Sequence, residues 1–194
     1  WTPPEPPESW DGIREATAFG PSCVQPELPM DSIYYDPPAS MSEDCLSLNI
    51  WAPAEAEDAP VIVWIHGGSL RMGGSAQPTY EGSPFAERGA VFVSINYRLS
   101  ILGWFAHPEL SAQSSEGVSG NYGLLDQIAA LQWVRDSIAA FGGDPDNVTI
   151  MGESAGALSV TYLMISPLAE GLFHKAIAQS TGIRAIPELS NPTH

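Results

Sequence analysis

The chain has 194 residues, long enough for one domain with a real core, and 44% of them are apolar. Charge is sparse and one-sided: 23 acids stand against 7 lysines and arginines, for a net charge of −16. Such a surface repels phosphate backbones and anionic lipid, so no nucleic-acid partner is expected. No apolar run approaches a membrane span either, the longest clean one being Val61 to Ile65.

The opening, Trp1 to Trp10, holds Pro3, Pro4, Pro6 and Pro7 in a PxxP spacing. Glu5 and Glu8 offer no basic anchor to a proline-reading domain, so an extended segment wrapped over the domain is expected. The chain starts at Trp1 with no signal-peptide pattern, and further sequence upstream is expected. An irregular stretch follows from Pro21 to Met41. Cys23 and Cys45 lie 22 residues apart, with no CxxC and no histidine at ligand spacing. No zinc site follows from that pattern, which leaves a disulfide or two buried thiols. A bridge would add about 3 kcal/mol in the chain-entropy picture and would place the protein in an oxidising compartment, secreted or periplasmic.

Leu46, Leu48 and Ile50 alternate with polar residues at the period of a half-buried strand. Val61 to Ile65 and Val91 to Ile95 are short runs of β-branched and aromatic residues, as in buried parallel strands. Between Gly123 and Ala140 the apolar Leu124, Ile128, Leu131, Val134 and Ile138 recur every three or four residues, which predicts a helix. Val148 to Met151 reads as a strand and Ala155 to Ile165 as a helix. This alternation predicts an α/β fold with a mostly parallel sheet flanked by helices.

Gly152-Glu153-Ser154-Ala155-Gly156 fits GxSxG. Alone the motif arises by chance in about one chain in fifteen of this length. Here it follows a predicted strand and opens a predicted helix, the setting in which a sharp turn presents a nucleophilic serine. A Cβ at either glycine would meet the neighbouring strand or helix. His66-Gly67-Gly68-Ser69 follows another predicted strand, and a glycine-rich turn there lets backbone N–H groups approach an oxyanion.

With these motifs the chain resembles the type-B carboxylesterase family, the cholinesterase-like α/β-hydrolases, over nearly its whole length. The likeness is carried by Glu43-Asp44-Cys45-Leu46-Ser47-Leu48-Asn49-Ile50, by Gly120 to Gln127, and by Phe141 to Gly156. It implies an α/β-hydrolase fold and a serine carboxylic-ester hydrolase, with a small-molecule ester as substrate and no cofactor or metal. By the resemblance Ser154 is the nucleophile. The N–H groups of Gly68, Ser69 and Ala155 form the oxyanion hole, with Gly67 shaping the turn before them. Ser69 stands where the family usually has a third glycine. The resemblance further implies a Cys23–Cys45 disulfide and a buried Arg98–Asp126 ion pair. A second class on the same fold is the non-catalytic adhesion protein, which typically lacks the serine that is present here.

His66 and His174 match structural family positions, and His107 and His194 have no acid at useful spacing. Glu153 is expected to tune the site's electrostatics. Asp144 to Asn147 lacks the glycine and distal glutamate of a calcium loop and reads as a turn. Leu70, Trp104, Phe105 and Tyr122 are expected to make the near side of the pocket apolar and aromatic. The fold order serine, acid, histidine puts the other two triad members beyond His194. Residues 1–194 are therefore expected to be the N-terminal part of one catalytic domain, short at both ends, with the C-terminal remainder as its partner. The arginine expected to pair with Glu43 would precede Trp1.

Overall fold

A computed structural model describes residues 1–33 and 35–182. Two short strands, β1 (Ser22–Cys23) and β2 (Met41–Ser42), pair in parallel near the disulfide. Then come β3 (Leu48–Trp51), β4 (Ala59–Ile65), the single-turn α1 (Ser83–Ala86) and β5 (Val91–Ile95). Two short helices, α2 (Ser100–Trp104) and α3 (Pro108–Gln113), precede the long α4 (Tyr122–Ser137). The described part closes with β6 (Gly143–Glu153), α5 (Ala155–Ile165) and β7 (Lys175–Gln179).

The main sheet runs β3-β5-β4-β6-β7. Only β3 is antiparallel to its neighbour. Val91, Val93 and Ile95 of β5 and Val61, Val63 and Ile65 of β4 are fully buried and pack with Leu131, Val134, Val160 and Leu163 of α4 and α5. Each such side chain contributes about 1.5–3 kcal/mol by leaving water. Phe92 alternates to the opposite face and stacks on Phe85 of α1 at 4.6 Å. α1 thus covers the second face at β5 and β3, while all five residues of β7 at the other edge are exposed. On one side α4 and α5 are tied together where Gln127 Nε2 donates to Ser159 Oγ at 3.1 Å.

Three element boundaries differ from the sequence reading. Leu46 lies outside β3 and is exposed, because the chain there turns away from Cys45, with Ser47 N donating to Cys45 O. The helical pattern to Ala140 tightens into a 3-10 turn over Ile138–Phe141. β6 starts at Gly143 and pairs it with Ala59, but the next pair is Val148 with Val61. Five steps on β6 thus face two on β4, so Asp144–Asn147 stands out of the ladder. It is closed by an Asx turn, with Asp146 N donating to Asp144 Oδ1 at 2.8 Å.

The segments outside the sheet are pinned to it. Cys23 and Cys45 form a disulfide with both residues buried. Asn96 donates to Pro21 O and Cys45 O and accepts from Ser75 N, which joins this loop to the end of β5. Asp126 receives Arg98 through Nε at 2.8 Å, Nη2 at 2.6 Å and the backbone N–H at 2.9 Å. The remaining Arg98 donor reaches Thr2 O, and Trp1 Nε1 donates to Ile101 O, so the proline-rich opening lies against α2.

Candidate active site

β4 and β6 are parallel neighbours, with Ile65 paired to Gly152, so the residues that follow them leave the same edge of the sheet side by side. The β6 side makes a sharp elbow. Ser154 has φ 55° and ψ −119°, a conformation rare for any residue with a Cβ, and its side chain is exposed. Its backbone N–H is held by Gln179 O of β7, and Leu158 N begins the helix by donating to Ser154 O. Among the described residues Ser154 Oγ makes no hydrogen bond.

The glycines of the elbow are required by contact. A Cβ on Gly152 would overlap the main chain of Gly156, and one on Gly156 would overlap Ile65 O. Gly67 is equally constrained, since a Cβ on it would stand 2.9 Å from Glu153 O and 3.3 Å from Ser154 Cβ. The turn after β4 is therefore packed directly against the elbow after β6. Within that turn Gly68, Ser69 and Leu70 all have positive φ, at 97°, 58° and 59°. Arg71 N and Met72 N both donate to Gly68 O and curl the segment tightly. The N–H groups of Gly68, Ser69 and Ala155 pair with no acceptor among the described residues.

His66 lies beneath the turn rather than in it. It is fully buried, stacks on Tyr97 at 4.4 Å, and has Nδ1 2.8 Å from Gly67 O. With Nδ1–H as the donor, Nε2 keeps a lone pair, and it has no partner among the described residues. Burial lowers the His66 pKa to about 4, so the ring is neutral at pH 7. Tyr97 OH donates to His66 O at 2.7 Å, and burial pushes its own titration well above the usual range. Glu153 lies beside Gly67. Burial first, and then the Glu153 and Asp36 carboxylates, raise the pKa of Tyr80.

An open cavity of about 430 Å³ begins at Ser69 and is lined by Leu70, Arg71, Ser100, Ile101, Trp104 and Phe105. Leu70, Trp104 and Phe105 are there as read from the sequence. Tyr122 is not: it is buried at the start of α4 beneath the Arg98 guanidinium, because the ion pair draws that corner into the core. His107 caps α3 by accepting from Glu109 N, and His174 extends β7 by bonding both main-chain groups of Val148. His194 lies outside the described residues. Tyr97 and Gln25, which brace the turn, carried no sequence signal, since both act across long sequence separations.

A mostly parallel sheet with a strained serine between β6 and the helix α5 is the α/β-hydrolase fold. The carboxylesterase family's sequence model matches residues 1–186, and the chain belongs to that family. It is 48% identical over 185 residues to the fumonisin B1 esterase of Sphingopyxis macrogoltabida, covering 94% of this chain and 34% of that protein. It is also 48% identical over 185 residues to the para-nitrobenzyl esterase of Bacillus subtilis, covering 94% and 37%. Among solved structures, a PNB esterase superposes with a TM-score of 0.79 at 47% identity, covering 91% of this chain and 35% of that one. A Geobacillus stearothermophilus carboxylesterase gives 0.78 at 49%, covering 90% and 35%. The chain spans about a third of the length of the curated relatives it matches.

Proposed function

We propose that this chain carries the nucleophile and oxyanion hole of a serine carboxylic-ester hydrolase. One observation carries the reading: Gly67 packs against Glu153 and Ser154, so a strained, exposed serine and a turn of unpaired N–H groups leave adjacent parallel strands together. In this reading Ser154 Oγ attacks the ester carbonyl carbon and passes its proton to a general base. The N–H groups of Gly68, Ser69 and Ala155 receive the negative charge that develops on the carbonyl oxygen. Collapse expels the alcohol, which takes the proton, and leaves an acyl group on Ser154. Water then hydrolyses that acyl-enzyme by the same steps.

His66 is buried beneath the turn, and His107 and His174 bond the main chain elsewhere, so the base in this mechanism comes from outside the described residues, as does the acid that orients it. The chain is on this view part of one catalytic domain. The Cys23–Cys45 bond favours an oxidising compartment, secreted or periplasmic. Among the described residues no helix is long and apolar enough to cross a membrane.

The test is hydrolysis of p-nitrophenyl acetate by the protein at its full natural length, with and without Ser154→Ala, together with mass-spectrometric mapping of an activated phosphonate. Loss of turnover and of labelling at Ser154 is expected. A Ser154→Ala protein that hydrolyses the ester at the wild-type rate would refute the assignment.

A further inference from the structure

The turn that bears Gly68 and Ser69 ends at Gly73, which has φ 110° and lies against the His66 ring: a Cβ on it would stand 2.5 Å from His66 Nδ1. Both main-chain polar groups of Gly73 are taken by one distant side chain. Gly73 N donates to Gln25 Oε1 at 2.8 Å, and Gln25 Nε2 donates to Gly73 O, also at 2.8 Å. The second proton of Nε2 goes to Cys23 O at 3.1 Å. The Gln25 amide thus binds Gly73 as a neighbouring strand would, using its acceptor and both its donors.

What holds Gln25 is itself fixed. Cys23 is bonded to Cys45, its strand pairs with Met41–Ser42, and Cys45 O accepts from Asn96 at the end of β5. A continuous path of contacts therefore runs from the disulfide through Gln25 and Gly73 to His66 and Gly67, where the turn meets Ser154. Without Gln25 the segment from Leu70 to Gly73 would keep its internal bonds to Gly68 O and the bond from Ser100 N to Leu70 O at 2.7 Å, but its Gly73 end would lose its anchor.

We propose that Gln25, clamped by the Cys23–Cys45 disulfide, is a positioning residue that fixes the direction of the Gly68 and Ser69 N–H groups. The inference rests on the oxyanion role proposed above. Donors that act only on developing charge affect the chemical step more than substrate binding. A displacement of about 1 Å can cost about a hundredfold in rate.

The experiment compares wild type with Gln25→Met, which keeps the bulk and loses all three bonds, and with Gln25→Glu, which keeps the acceptor for Gly73 N. Turnover of p-nitrophenyl acetate is normalised to active sites titrated with phosphonate, so the folded fraction does not enter. For Gln25→Met kcat should fall about tenfold to a hundredfold with KM within about threefold, and Gln25→Glu should lie between. Affinity for an aryl trifluoromethyl ketone should fall in step with kcat/KM. Its carbonyl adds Ser154 Oγ, the serine proton passes to the general base, and the oxyanion remains on the former carbonyl oxygen. Wild type with the disulfide reduced and alkylated should lose ketone affinity by a similar factor, an arm that needs no substitution to fold. Wild-type kcat and ketone affinity in Gln25→Met, or unchanged ketone affinity after reduction, would overturn the proposal. A wild type without Ser154-dependent turnover overturns the hydrolase reading itself, and this inference with it.

Discussion

Gly156 approaches Ile65 so closely that a methyl group on the glycine would overlap the Ile65 carbonyl oxygen. This contact seats the first turn of α5 on the end of β4, and it sets the height at which Ser154 emerges. Main chain cannot yield as a flexible side chain can. Gly156→Ala is therefore expected to destabilise the protein by about 3 kcal/mol or more and to lower ester turnover, read by denaturant unfolding and by activity. A variant within about 0.5 kcal/mol of wild type would contradict the close approach.

His66 predicts an acid limb. Its folded pKa of about 4 lies below its ordinary 6.5, so between those values the unfolded chain binds the proton and the folded protein does not. Stability from this residue is complete above pH 6.5 and is lost as pH falls towards 4, by at most about 3 kcal/mol. Unfolding free energies of wild type and His66→Gln, measured between pH 7 and 5, should differ in slope. Parallel curves would mean that the ring is hydrated in solution.

The disulfide predicts a mass and a stability change. Reduction with alkylation should add two labels that the native protein does not take up, one each at Cys23 and Cys45. Cys45→Ser should cost about 3 kcal/mol, since the bridge restrains the unfolded chain. Two cysteines that label in the unreduced native protein would disprove it.

Ser69 has φ 58°, where glycine is at ease and serine is strained, and it stands at the rim of the cavity. Ser69→Gly keeps the N–H and removes the hydroxymethyl group. In the protein at its full natural length, hydrolysis of short acyl esters should stay within about tenfold of wild type, while bulky acyl esters gain relative to them. A collapse on short esters would assign a role to the hydroxyl itself.

Ser154 Oγ has no hydrogen-bonded base among the described residues, and all five residues of β7 are exposed at the edge of the sheet. The 194-residue chain produced alone is accordingly expected to show no Ser154-dependent turnover and to aggregate through that edge. A progress curve with p-nitrophenyl acetate beside light scattering decides both points. Robust turnover abolished by Ser154→Ala would place the base within this chain.

The sequence by itself determined the α/β alternation, the helix Ala155–Ile165, the strand Val91–Ile95 and the elbow glycines, because each is written in local periodicity or in one short motif. Family motifs extended that reading to the Cys23–Cys45 bond and the Arg98–Asp126 pair. Tertiary structure alone decided that Gly67 touches Ser154, that Tyr122 belongs to the ion pair rather than to the cavity, and that Gly143 pairs with Ala59 ahead of the Asp144–Asn147 turn. It also decided that Gln25 holds Gly73 across 48 positions of sequence. The reason is physical: a period of 2 or 3.6 reports which side of an element is apolar. Contacts between elements depend on sheet order and on how close two main chains can come, and neither leaves a period to read.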